Sequence, residues 1–263
     1  MTRVRSLGFR TDLMLRRMAG ASVEERDGVI VVRTPANPTF YWGNFLLFPD
    51  PPTAADPAQW MERFATEFPA AEHVSIGVDG VDGDLGAAQE MRALELAEDV
   101  SVVLAAGHLS TDGRLAPGVD LRPPATREEW EQTVEFRIAV DDDQSPAHRA
   151  FVVRRAAEFR GLTEAGHGVY VCAFVDGRAR AGLGLFAADG IARYQSVETH
   201  PDFRRRGLAS ALLAEASRLV AQSHHVQTFV IVADPDYVAI ELYRRLGFHD
   251  AERQVQWLRS PSS

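Results

Sequence analysis

Arg204-Arg205-Arg206-Gly207-Leu208-Ala209 stands between a strand-forming run, Ile191 to Thr199, and an amphipathic stretch that reaches Val220. A chain that leaves a strand, turns at a glycine and enters a helix leaves the first amides of that helix unpaired. The helix dipole puts partial positive charge there and three arginines add full charges, a combination that suits a pyrophosphate. Leu212, Ala216, Leu219 and Val220 share one helical face, with Ser210, Ser217 and Arg218 elsewhere, so the core face would hold the helix N-terminus rigid. Three adjacent arginines alone also describe a solvated loop; Gly207 and the helix behind it favour the anion site. This part of the chain is thereby committed to an α/β unit.

Thirty-four residues beyond Ala209 comes Tyr243, inside Ala239-Ile240-Glu241-Leu242-Tyr243-Arg244-Arg245-Leu246-Gly247-Phe248, and a strand pattern from Thr228 to Ala233 joins the two motifs. Asp234 or Asp236 is placed to cap the helix of Tyr243, and Gly247 followed by Phe248 reads as its stop. The two motifs in this order resemble the GNAT superfamily of acetyl-CoA-dependent N-acyltransferases, over about residues 125 to 263. The resemblance implies an α/β (α+β) fold with a mixed, largely antiparallel central sheet flanked by helices, and acetyl-CoA as cosubstrate. It puts the pyrophosphate on Arg204, Arg205, Arg206, Gly207, Leu208 and Ala209. It runs the pantetheine along the fourth strand, against backbone groups of Val197 and Thr199, as a peptide extends a sheet edge. Such proteins often carry asparagine seven residues before the tyrosine. Asp236 stands there and keeps an acceptor for the carrier without the amide donor.

Acyl transfer from a thioester needs a stabilised oxyanion, a deprotonated amine and a proton for the departing thiolate. The phenol of Tyr243, with an ordinary pKa near ~10, is protonated at neutral pH and can serve as general acid. Glu198 is the carboxylate nearest the site by sequence and the candidate base; an exposed strand glutamate is the alternative, and His200 a lesser candidate. With no nucleophile evident, the expected reaction is direct attack of a small-molecule or peptide amine on acetyl-CoA. One rival is an acyl-CoA-binding sensor without catalysis, which has no need of an acid at the thiol. Another is an interaction protein in which both halves are scaffolds.

Composition narrows the rest. A formal charge of −9 lacks the basic footprint of a nucleic-acid or anionic-membrane binder. All 28 basic residues are arginine, which excludes Schiff-base and Walker-type lysine chemistry. The lone Cys172 lies in an apolar run and reads as buried filler. Neither a membrane span nor a signal core is evident, so a cytoplasmic protein is expected. No metal is expected. Asp141-Asp142-Asp143 lacks the EF-hand glycine and more readily caps the following helix, while His224 and His225 are adjacent and cannot share a metal from one helix. Gly182-Leu183-Gly184-Leu185-Phe186-Ala187 matches a dinucleotide fingerprint but precedes a hairpin turn, where a helix is required.

Prolines and glycine from Leu115 to Pro124 read as a linker, dividing the chain at 1–122 and 123–263. Beyond it the pattern predicts a strand over 134–140, a helix over 146–163, and strands over 169–175, 179–187 and 191–199 joined by Asp-Gly turns. Helix, strand, helix and a closing pair of strands near Phe248 and Val255 to Leu258 follow. The first half repeats part of this order: strand 45–48, helix 57–68, strand 73–78, helix 85–97, strand 100–105. Glu67 to Asp79 echoes Leu219 to Asp234, which points to two tandem copies. Where the second copy has its arginine loop, the first has Pro51-Pro52-Thr53-Ala54-Ala55-Asp56, without arginine or glycine, and no tyrosine stands near Met91. The first copy therefore resembles a degenerate, non-catalytic GNAT-like domain.

Overall fold

A computed structural model of the chain describes residues 3–38, 40–110, 118–141 and 143–260. In the first half the elements are α1 (Leu7–Met18), β1 (Ser22–Arg26), β2 (Val29–Arg33), β3 (Phe45–Phe48), α2 (Asp56–Glu67), β4 (Val74–Val78), α3 (Ala88–Ala93) and β5 (Ala97–Ala106). Then come β6 (Val119–Arg122), α4 (Arg127–Val140), α5 (Pro146–Glu164), β7 (Gly168–Val175), β8 (Arg178–Ala188), β9 (Ile191–Thr199), α6 (Leu208–Val220), β10 (Thr228–Ala233), α7 (Ile240–Arg245) and β11 (His249–Arg259). They form two compact units, Met1–Leu104 with Val232–Tyr237 and Asp250–Ser263, and Ala105–Ile231 with Val238–His249.

In the first unit the strand order is β1-β2-β3-β4-β11-β5. β3 and β4 are parallel, Leu46 opposite Ile76, with α2 as the crossover. The chain's last strand returns to this unit, where β11 pairs antiparallel with β4, Val255 opposite Val78. Alternation along β3 feeds two cores. Leu46 and Phe48 meet Trp60 and Phe64 of α2, and Phe45 and Leu47 meet Phe9 and Leu13 of α1. The Trp60 ring stacks on Phe48 at 3.9 Å. Glu252 of β11 accepts from the Ser6 hydroxyl at 3.0 Å and from the Leu7 amide, satisfying donors at the head of α1. The sequence pattern assigns nothing before Phe45, so α1, β1 and β2 are additions. The helix expected over 85–97 contracts to Ala88–Ala93, ended by Glu95 at φ 60°, and β5 starts at Ala97.

The second unit has the order β10-β9-β8-β7-β6. β7, β8 and β9 are antiparallel, and the Asp176-Gly177 and Asp189-Gly190 turns carry the left-handed φ pairs (51° and 74°, 50° and 78°) of tight hairpins. α6 carries the chain across to β10, which runs parallel to β9. Each unit is thus a mixed sheet flanked by helices with one parallel β-α-β step, the arrangement the sequence led us to expect twice.

Three readings need correction here. Residues 134–140 are the end of helix α4, not a strand. Val134, Phe136, Ile138 and Val140 alternate like a strand, but Thr126 and Glu129 form a capping box that starts a helix before them. The Thr126 hydroxyl accepts the Glu129 amide at 3.2 Å, and Glu129 accepts the Ala125 amide at 2.6 Å. Val119–Arg122, inside the expected linker, is an edge strand paired with β7, Val119 opposite Val175; Leu115 to Pro117 lie outside the described residues. The closing pair of strands is the single β11, and Phe248 belongs to the turn before it. Gly182 and Gly184 lie within β8, as the hairpin reading requires, and Cys172 is buried in β7, where burial pushes its thiol up. Asp142 lies outside the described residues; Ser145, not the aspartates, caps α5.

Candidate active site

The geometry begins with a break in β9. Gly184 pairs with Gln195 and Gly182 with Glu198, so one residue of β8 stands against two of β9. Ser196 takes the strain at φ 49°, and such a bulge bends its strand. On the other side, pairing with β10 covers only Ile191, Ala192 and Arg193, opposite Thr228, Phe229 and Val230, among the described residues. From Tyr194 onward β9 parts from β10 and carries an open edge. Val197 and Thr199 lie on that stretch, both half-buried.

The open edge leads directly into the arginine loop. After one turn of 3-10 helix at Pro201–Phe203, Arg205 at φ 61° and Gly207 at φ 77° reverse the chain, and Gly207 caps α6. A side chain added at Gly207 would meet nothing within 4 Å, so its glycine answers to backbone conformation, and the space before the helix is open. Leu208 is buried and Ala209 half-buried, while Arg204, Arg205, Arg206 and Gly207 are exposed. Arg204 Nε donates to the Thr199 carbonyl at 3.3 Å and Arg206 Nη2 to that of Asp202 at 2.9 Å. No carboxylate pairs with any of the three arginines among the described residues.

Tyr243, in α7, is only 3% exposed. Gly247 at φ 101° turns the chain so that the Phe248 amide donates to the Tyr243 carbonyl at 3.1 Å. The Phe248 ring then meets Tyr243 edge-on at 6.3 Å and Tyr194 edge-on at 6.1 Å. The Tyr194 hydroxyl donates to the Leu213 carbonyl of α6 at 2.9 Å. This chain of contacts ties the candidate acid to β9 at the residue where β9 leaves β10, and to the helix behind the loop. No aspartate caps α7: Ala239 is its N-cap, and Asp234 instead accepts the Asp236 amide at 2.8 Å. Asp236 itself belongs to the first compact unit.

Glu198 is held by a residue the sequence did not single out. Arg137 of α4 reaches it with Nε at 2.8 Å and Nη2 at 3.3 Å, and the same Nη2 lies 3.3 Å from the Ser196 hydroxyl. Burial works to discharge Arg137, and Glu198 is the chief influence that holds the guanidinium above its ordinary value. Sixty-one residues separate the pair, and no spacing rule links them. His200 is two residues on, its Nδ1 accepting the Asp202 amide at 3.3 Å.

Residues 125–248, just under half of the chain, match the acetyltransferase (GNAT) family. Among curated proteins, a mycothiol acetyltransferase from Clavibacter sepedonicus is 36% identical over 85 residues, which are 32% of this chain and 28% of that protein. Among solved structures, a GCN5-related N-acetyltransferase from Kribbella flavida has a TM-score of 0.66 at 18% identity, over 98% of this chain and 97% of that one. A tandem GNAT protein from the clavulanic acid biosynthesis pathway has a TM-score of 0.53 at 14% identity, over 73% of this chain and 65% of that one. These two likenesses establish the fold. No helix among the described residues is long and apolar enough to cross a membrane.

Proposed function

We propose that residues 123–263 carry an N-acetyltransferase that moves an acetyl group from acetyl-CoA to an amine by direct attack, and that residues 1–122 are a degenerate, non-catalytic copy. One observation carries this reading. The open edge of β9, created by the Ser196 bulge and the end of pairing at Arg193, runs straight into left-handed Gly207 at the head of α6. A pantetheine amide chain finds its backbone partners at Val197 and Thr199, and the pyrophosphate finds the amides of Gly207, Leu208 and Ala209 with Arg204, Arg205 and Arg206 around them. Glu198 takes a proton from the acceptor's ammonium, directly or through water, so that the neutral amine attacks the thioester carbonyl, and Tyr243 supplies the proton to the departing thiolate. The acceptor is a small-molecule or peptide amine, and the stretch resembling a mycothiol acetyltransferase puts small molecules first. The protein works in the cytoplasm, without a metal.

A second reading, an acyl-CoA-binding protein without catalysis, draws on the engagement of both Glu198 oxygens by Arg137. A screen of amine acceptors with detection of released thiol separates the two. Acceptor-dependent thiol release supports the transferase; tight acetyl-CoA binding without release from any acceptor supports the sensor.

A further inference from the structure

We propose a second anion subsite beside the arginine loop, built by β8 and α4 and shaped for a phosphate monoester. A cavity of about 180 Å³ is lined by Gln132, Glu135 and Phe136 of α4, Arg178 and Arg180 of β8, and His200. The Arg180 guanidinium lies over the Phe203 ring at 4.8 Å, and Arg206 lies over the same ring at 4.7 Å. Phe203 therefore joins this cavity to the loop that begins at Arg204.

Two guanidiniums on one ring concentrate positive charge, and an anion beside them would be attracted to both. In a chain of formal charge −9, where carboxylates outnumber arginines, neither Arg178, Arg180 nor Arg206 has a carboxylate partner among the described residues. Other arginines of the chain do find carboxylates, as Arg122 shows with both Asp120 and Glu129. Arg180 Nε is also shielded from solvent and has no hydrogen-bond partner, a costly state for a charged donor.

The rest of the lining is rich in donors. The Asp202 amide donates to His200 Nδ1, which leaves Nε2 as the ring's donor, although the Asp202 carboxylate also lies 3.8 Å from Nδ1. Gln132 spends its oxygen on the Ala179 amide at 3.0 Å and keeps its NH₂. Glu135 contributes one negative charge against two guanidiniums. Arginine forks match phosphate oxygens in pairs, and a phosphate monoester carries the charge that this cluster lacks.

Two sources offer that group: the 3′-phosphate of CoA, in which case the subsite rests on the acetyl-CoA reading above, or a phosphate ester on the acceptor. Calorimetric titration of the full chain with CoA, 3′-dephospho-CoA and O-phosphoethanolamine distinguishes them, using the unmutated protein and Arg180→Gln. If the carrier is the source, removing the 3′-phosphate weakens binding about tenfold, the worth of a charge-assisted hydrogen bond, and Arg180→Gln binds both carriers alike. If the acceptor is the source, the two carriers bind equally and O-phosphoethanolamine binds the unmutated protein but not Arg180→Gln. Binding of O-phosphoethanolamine with neither carrier binding would keep the subsite and sink the acetyl-CoA reading. Equal binding of both carriers with no response to O-phosphoethanolamine overturns the subsite and leaves that reading standing. Thermal unfolding checks that Arg180→Gln is folded, and His200→Gln repeats the comparison if it is not.

Discussion

Arg137 grips Glu198 with two nitrogens, Nε at 2.8 Å and Nη2 at 3.3 Å, and the arginine is 6% exposed. α4 and the bulged part of β9 are thereby joined through a buried charge pair. Breaking such a pair from one side leaves a charge without compensation. Glu198→Ala should destabilise the protein by about 3 kcal/mol, the low end for buried pairs because Glu198 keeps 23% of its side-chain exposure. Replacing both residues with methionine should recover most of that loss. Urea unfolding of Glu198→Met, Arg137→Met and the double variant measures the coupling; additive losses would show that the pair contributes nothing.

Gly207 sits at φ 77° with open space where a side chain would begin. Gly207→Ala should fold, at a cost of about 1 kcal/mol for the left-handed conformation. Gly207→Pro should abolish acetyl-CoA binding, because proline fixes φ near −65° and removes a donor. Undiminished thermal stabilisation by CoA in a folded Gly207→Pro protein would remove the basis for the loop assignment.

The head of α2 in the first unit carries a carboxylate instead of arginines. The Asp56 carboxylate, at the start of α2, accepts the Thr53 amide and the Thr53 hydroxyl, each at 2.6 Å. These bonds hold its proton affinity below the ordinary range, so a negative charge stands in the first turn of α2, where it would repel a phosphate. One CoA per chain is expected by calorimetry, and two equivalent sites would contradict the degenerate first copy.

His73 gives the first unit a pH dependence. It is 4% exposed, stacks on Tyr41 at 4.4 Å and contacts the Asn44 carbonyl through Nε2 at 3.2 Å. Burial lowers its proton affinity, so the unfolded chain takes up a proton before the folded one does. Its contribution is full above the unfolded pKa of ~6.5 and is lost as pH falls from there toward the folded value, with a slope of at most ~1.4 kcal/mol per pH unit. Unfolding midpoints of the unmutated protein and His73→Phe between pH 7.5 and 5 test this. Parallel curves would mean that another group is responsible.

Much of the second half was legible because its local signals agree. Asp-Gly turns flank apolar strands, and Gly207 precedes an amphipathic helix whose buried residues, Leu212, Ala216 and Val220, keep helical spacing. The same local logic misread α4. Alternation from Val134 to Val140 suggested a strand, and the capping signal at Thr126 and Glu129, eight and five residues upstream of Val134, outweighed it. Arg137 was invisible as a partner of Glu198, since only the packing of α4 on the sheet brings them together. The return of β11 to β4 was hidden for the same reason: strand pairing across 177 positions, as between Val78 and Val255, leaves no trace in local pattern.

Tyr243→Phe under single-turnover conditions tests whether this chain performs chemistry at the thioester. Phenylalanine keeps the packing against Phe248 and removes only the hydroxyl. With an acceptor found by the thiol-release screen, the single-turnover rate should fall by roughly 10²–10⁴-fold while CoA affinity changes little. Following one cycle removes product release as a mask. A Tyr243→Phe protein that transfers acetyl at the unmutated single-turnover rate would contradict the assignment of Tyr243 as the acid.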